Sequence, residues 1–150
     1  MSELSFKTFC IEFYSKHIQK PGPKVYELFR TSGLLDMLET DYEDFHGMGM
    51  EALMQFFDEY LAKELKEIKS TDFPEIEHNL VRATVTPEIV RLITKYYQIS
   101  ENEALQHFYQ SKTAENYADE DTGLYGQSAL HIFCLFIMEQ DGNIDEARSQ

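Results

Sequence analysis

Residues 50–68 read MEALMQFFDEYLAKELKEI, and this stretch decides the fold class. Leu53, Met54, Phe57, Tyr60, Leu61, Leu65 and Ile68 return at steps of three and four. That is the period of one helical face, not the two-residue alternation of a half-buried strand. The period holds over about five turns, longer than an ordinary strand. A helix over 50–68 is predicted.

Working outward towards the N-terminus, Gly47 and Gly49 mark residues 43–49 as a turn. Leu35, Leu38 and Tyr42 predict a short helix before it. Val25, Leu28 and Phe29 predict another, opened by Pro23, whose missing N–H costs nothing in a first turn, and closed by Gly33. Pro21-Gly22-Pro23 separates it from a first helix that ends at His17 and presents Phe6, Phe9, Cys10, Phe13 and His17 on one face.

Towards the C-terminus, residues 69–85 read as a linker containing Pro74, with a short strand or extended arm expected at 80–85. Thr86-Pro87-Glu88 signals a helix start, with a capping hydroxyl, proline in the first turn and an early carboxylate. Ile89, Leu92, Ile93 and Tyr96 give that helix its face. Ser100 and Glu103 form a capping box ahead of Ala104, Leu105 and Phe108. A short helix or turn follows over 111–117, and 119–126 is a loop. Ser128 caps a last helix to about residue 140, apolar on nearly every side except His131 and therefore expected at the centre of the fold, with 141–150 fraying.

The chain is thus predicted to be all-α, with helical subdomains over 1–68 and 86–150 joined by a linker at 69–85. A gap-free shift of 79 residues aligns the two halves, with Phe29 on Phe108, Ser32 on Ser111 and Gly47 on Gly126. Leu53, Met54 and Phe57 then fall on Ile132, Phe133 and Phe136. An internal duplication on a ground plan of about four helices per half is the preferred reading, coincident helical periods being the alternative.

Charge divides in the same way. The chain carries 27 Asp and Glu against 13 Lys and Arg, a formal net charge of −14. Residues 31–62 hold eight acids and no Lys or Arg, and residues 113–147 repeat that composition. Such a balance opposes binding to nucleic acid through phosphate neutralisation and to anionic membranes. It favours a basic protein partner, because opposite potentials speed encounter.

The chemistry of an enzyme is missing from the motifs. Gly47-Met48-Gly49 lacks the strand and third glycine of a dinucleotide loop. His17, His46, His78, His107 and His131 show no metal-ligand spacing, and two cysteines are too few for a structural zinc site. No nucleophile has a recognisable base beside it, so no cofactor, metal or catalytic residue is assigned. Cys10 and Cys134 lie among apolar neighbours and read as reduced core thiols, a disulfide between them being the alternative. The Met and Phe stripe over 48–57 reads as core. The candidate contact residues are Asp41, Tyr42, Glu43, Asp44 and His46 in the first half, and Asp119, Glu120, Asp121 and Tyr125 in the second. The loop over 119–126 is acidic, but it lacks the alternating ligands and closing Glu of a calcium loop.

Residues 9–14 (FCIEFY), 25–29 (VYELF), 33–36 (GLLD) and 41–49 (DYEDFHGMG) resemble a bacterial family of domains of unknown function, common in Gram-positive gut bacteria. The resemblance spans about residues 3–62, and the Tyr42 to His46 to Gly49 spacing is its most specific part. Residues 86–140 resemble a second small uncharacterised helical domain. Genes of the family often lie beside one for an ADP-ribosyltransferase-like protein, which implies an antitoxin or immunity partner. The family supplies no catalytic residues.

The expectation is therefore a non-enzymatic, acidic, cytoplasmic module that binds a basic protein, such as a cognate toxin. No leader-like segment opens the chain and no apolar run is long enough to span a bilayer. The competing expectations are a small-ligand protein or enzyme with a site at Tyr42 and His46, and an acidic mimic of nucleic acid.

Overall fold

A computed structural model describes the backbone of residues 1–68 and 74–149, and side chains as far as residue 142. Helix α1 (Glu3–Ile18) and helix α7 (Asn79–Tyr97) form the central pair. Arg91, late in α7, donates to Ser2 Oγ at 3.1 Å and Ser5 Oγ at 3.2 Å at the start of α1. Lys16, near the end of α1, donates to the Ile76 carbonyl just ahead of α7 at 3.1 Å. The two helices are therefore antiparallel.

Around them stand α2 (Gly22–Ser32), α3 (Leu34–Thr40), α4 (Tyr42–Phe45), α5 (Met50–Tyr60) and α6 (Ala62–Glu67) from the first half. The second half adds α8 (Glu101–Tyr109), α9 (Lys112–Ala118), two 3-10 turns at Glu120–Thr122 and Leu124–Gly126, and α10 (Ala129–Ser149). The described residues contain no strand, so the chain is all-α.

One core runs through both halves. Phe57 is fully buried, with its ring centroid 5.6 Å from Tyr14 and 5.2 Å from Phe29. Tyr26 of α2 stacks on Tyr109 of α8 at 5.1 Å and 13°, joining the halves. Phe108 and Phe136 continue the core into the second half. Helix α1 is enclosed on several sides, so the single face predicted for it does not describe it: Phe6 and Cys10 are buried, Phe9 and Phe13 are half-buried, and His17 is exposed. Leu4, Ile11 and Tyr14 are buried as well.

The 79-residue register that aligns the sequence also aligns helix ends. Gln19 closes α1 at φ 55°, ψ 51°, and Gln98 closes α7 at φ 54°, ψ 51°. Both sit in the left-handed region that non-glycine residues seldom adopt. Pro21 and Ser100, and then Gly49 and Ser128, stand one residue ahead of corresponding helices. Phe29 and Phe108 are both fully buried. The halves diverge elsewhere: α2 ends on Gly33 at φ 85°, whereas α9 starts at the corresponding Lys112 under a Ser111 cap.

Several expectations need correction. Residues 79–85, read as linker with a short strand, are the first turns of α7. Thr86-Pro87 imitates a helix start, yet Pro87 lies inside the helix. A proline there removes one backbone hydrogen bond, and the burial of Arg82, Ala83, Ile89, Val90 and Ile93 holds the helix through it. Helix 50–68 is broken at Leu61, whose φ −98° and ψ 12° leave α-geometry while its side chain stays fully buried. The backbone of α10 is helical to Ser149, where fraying was expected from 141. Nor is α10 central, for Leu130, Cys134 and Met138 face outward. Cys10 is buried as read from the sequence; Cys134 is not. The remainder of the expected linker, 69–73, lies outside the described residues.

Candidate functional site

The acidic turn of the first half is built around aromatic anchors. Phe45 is buried, 5.2 Å from the Phe56 ring. Tyr42 sits edge-on to Phe6 at 5.6 Å, and its hydroxyl donates to the Met1 carbonyl. Four residues apart on one helical turn, Tyr42 and His46 stack at 4.6 Å and 8°. His46 Nδ1–H donates to the Tyr42 carbonyl at 2.9 Å. The Tyr42 hydroxyl and His46 Nδ1 are thus both engaged locally. Two wide surface depressions, of about 580 and 660 Å³, lie instead against α2, where Pro21 and Lys24 line both.

The acids of this half separate into two groups. Glu39 accepts from Lys7 Nζ at 2.9 Å and from Asn102 at 3.2 Å. The Lys7 hydrogen bond holds its carboxyl below the ordinary range. Asp58 accepts from the Tyr14 hydroxyl and from His17 Nε2, both at 2.8 Å. By contrast Asp36, Asp41, Glu43, Asp44, Glu51 and Glu59 are exposed, and among the described residues no ion pair reaches them. Asp41, Glu43 and Asp44 share one turn of chain with the exposed His46.

The second half engages its acids differently. Asp119 caps the turn Glu120–Thr122 by accepting from Asp121 N at 2.9 Å. Glu120 is folded inward: Oε1 accepts from Glu77 N, His78 N and Arg82 Nη1 at 2.9, 3.1 and 2.9 Å, and Oε2 from His78 Nδ1–H at 2.5 Å. Burial alone would raise this carboxyl, but the bonds from His78, Glu77 and Arg82 overcome it and hold the group at about 2. Tyr125 stacks on His78 at 3.7 Å and lies under the Arg82 guanidinium at 5.5 Å. Glu139 caps α9, accepting from Lys112 N at 3.1 Å, Thr113 N at 2.7 Å and Thr113 Oγ1 at 2.8 Å. Glu115 pairs with Lys112 at 3.4 Å. Of the residues predicted as a contact loop here, Asp121 alone is exposed and free of an internal side-chain role; Glu120 and Tyr125 belong to a clamp.

Arg82 and His78 are the clamp residues the sequence reading missed, because a stretch taken for linker offers no helical spacing to follow. A second missed group lies deeper. Glu12 of α1 is buried and accepts from the Tyr109 hydroxyl at 3.3 Å. Burial pushes its carboxyl up to about 7, against the opposing pull of Arg82 and of the Tyr109 bond. Burial likewise raises the Tyr109 and Tyr117 phenols. Among the described residues Arg82 Nη2 is buried with no hydrogen-bond partner, and the buried Thr86 side chain stands against the Tyr109 and Tyr117 phenols. This set links α1, α7, α8 and α9. Glu12 escaped notice since a lone acid on a helix ordinarily marks the wet face.

Among the described residues no three His, Cys, Asp or Glu side chains converge as a metal ion would require. No described helix is long and apolar enough to cross a membrane. Residues 5–64, covering most of α1, α2 to α5 and part of α6, match a family described as a protein of unknown function (DUF3791). That span is close to the one carrying the sequence resemblance. No curated protein matches the chain, and no solved structure matches it.

Proposed function

We propose that the chain is a non-enzymatic module that binds a basic protein partner through the acidic surface of its first half. The observation that carries this reading is the contrast between the two acidic segments. Asp41, Glu43 and Asp44 stand exposed beside Asp36 and Glu51, within a segment that has no Lys or Arg. Glu115, Asp119, Glu120 and Glu139 are engaged by caps, an ion pair and the Arg82 clamp. A field from unneutralised carboxylates steers an oppositely charged partner and raises its association rate. The resemblance to a family encoded beside ADP-ribosyltransferase-like proteins supports a bacterial antitoxin or immunity role in the cytoplasm. The shared register of helix ends supports an origin of the two halves by tandem duplication, with most acids of the first segment left free and Glu115, Asp119, Glu120 and Glu139 of the second turned to structure. A ligand site at Tyr42 and His46 has less in its favour, because the Tyr42 hydroxyl and His46 Nδ1 each already bond a backbone carbonyl.

The test is capture from the native cell with the tagged chain and with a D41N/E43Q/D44N variant. A basic protein retained by the first and lost by the second is expected. Equal capture by both would reject this face as the contact.

A further inference from the structure

Helix α10 carries an outward apolar stripe that its own fold leaves uncovered. Leu130 is 60% exposed and Met138 67% exposed, with the exposed Cys134 midway between them. Spaced at i, i+4 and i+8, they lie along one side of the helix. Tyr96 of α7, 57% exposed and edge-on to Phe133 at 5.7 Å, widens the stripe. The fold does not demand apolar residues here. In the 79-residue register the corresponding positions on α5 are Glu51, Gln55 and Glu59, all exposed and polar.

We infer that this stripe seats a cationic amphipathic helix of a partner protein. A row at four-residue spacing matches the apolar anchors of a helix laid alongside another. Charge decides what flanks those anchors. The stripe lies in the segment 113–147, which contains no Lys or Arg, and the exposed Asp141 stands one turn beyond Met138. A second copy would bring together two chains of net charge −14, which like charge opposes. A helix with lysine or arginine beside its apolar row meets both features. The inference stands apart from the acidic turn of the first half, since the two surfaces lie on different helices and are probed separately.

Cys134 gives a local readout, because Cys10 is fully buried and the exposed thiol alone reacts in the folded chain. The probe is a synthetic helix of about five turns with leucine along one face and lysine along the other. It is compared with a Leu/Glu helix and with a Gln/Lys helix that keeps the charge and lacks the apolar row. The Leu/Lys helix should slow the reaction of Cys134 with a thiol reagent by about tenfold, and both comparison helices should leave the rate unchanged. An L130Q/M138Q variant, with unchanged circular dichroism, should lose the protection, and a D41N/E43Q/D44N variant should keep it. Binding of the Leu/Lys helix without protection, equal protection by the Gln/Lys helix, or no binding would overturn the inference. So would a thiol that is slow in the free chain and quickens on dilution, the mark of a second copy on the stripe.

Discussion

Arg82 Nη1 donates to Glu120 Oε1 at 2.9 Å, tying the first turns of α7 to the turn after α9. The Arg82 side chain is 2% exposed and that of Glu120 10%. Breaking such a pair from one side leaves a buried charge behind, a cost of about 3–5 kcal/mol. Glu120→Ala should therefore destabilise by that order in chemical denaturation. Asp121→Ala, one residue on and exposed, should change stability by less than about 0.5 kcal/mol. Similar small losses for both would mean that Glu120 is not the clamp.

Acid should act through the same carboxylate. Glu120 titrates at about 2 in the fold against an ordinary value of 4.5. Its contribution is thus complete above the unfolded value and is lost as pH falls through the folded one. The window runs from about pH 4.5 down to about 2 and is worth on the order of 3 kcal/mol. Stability measured over that range should fall more steeply in the native sequence than in Glu120→Gln.

Glu12 should act in the opposite sense. Its carboxyl is raised from 4.5 to about 7, so the folded chain keeps a proton that the unfolded chain has released. Stability on this account is greatest below about pH 4.5, declines as pH rises to about 7, and is level beyond. Glu12→Gln removes the decline and should stabilise the chain at pH 8 by about 1–3 kcal/mol. A variant less stable than the parent at pH 8 would show that the ionised carboxylate is a net benefit to the fold.

Gly22 makes room for that carboxylate. A Cβ on Gly22 would stand 2.6 Å from Glu12 Oε1, closer than real Cβ atoms approach. Gly22 is the first residue of α2, outside the helix interior where Ala is most favoured over Gly, and Gly22→Ala should destabilise by about 1–3 kcal/mol through overpacking against the buried Glu12. In a Glu12→Ala background the same change should be neutral or stabilising. A cost that persists there would place the strain in the backbone.

What the sequence made legible were features set locally. The helical period of residues 50–68, the Gly33 stop and the Ser100 capping box each depend on neighbours within a turn or two; they reappear as α5 and α6 with a break at Leu61, as the end of α2 and as the start of α8. Tertiary packing overrode local signals elsewhere. Pro87 ends a helix on paper and is carried inside α7 by burial against α1. The apolar run of α10 reads as a central helix, yet one side of it is left outside. Glu12 and Glu120 looked like ordinary surface acids because their partners, Tyr109 and Arg82, lie 97 and 38 residues away. Asp41, Glu43 and Asp44 are exposed where their local polarity placed them.

The most direct measurement of the central claim is the association rate of the chain with its captured basic partner, as a function of ionic strength. Exposed carboxylates act through a field with a range of about 10 Å at 0.1 M salt. The native chain should associate fast at low salt and slow steeply as salt rises. D41N/E43Q/D44N should be slower at low salt and show a flatter dependence, with unchanged stability. An association rate that is the same in low and high salt, or unaffected by the three substitutions, would contradict the account.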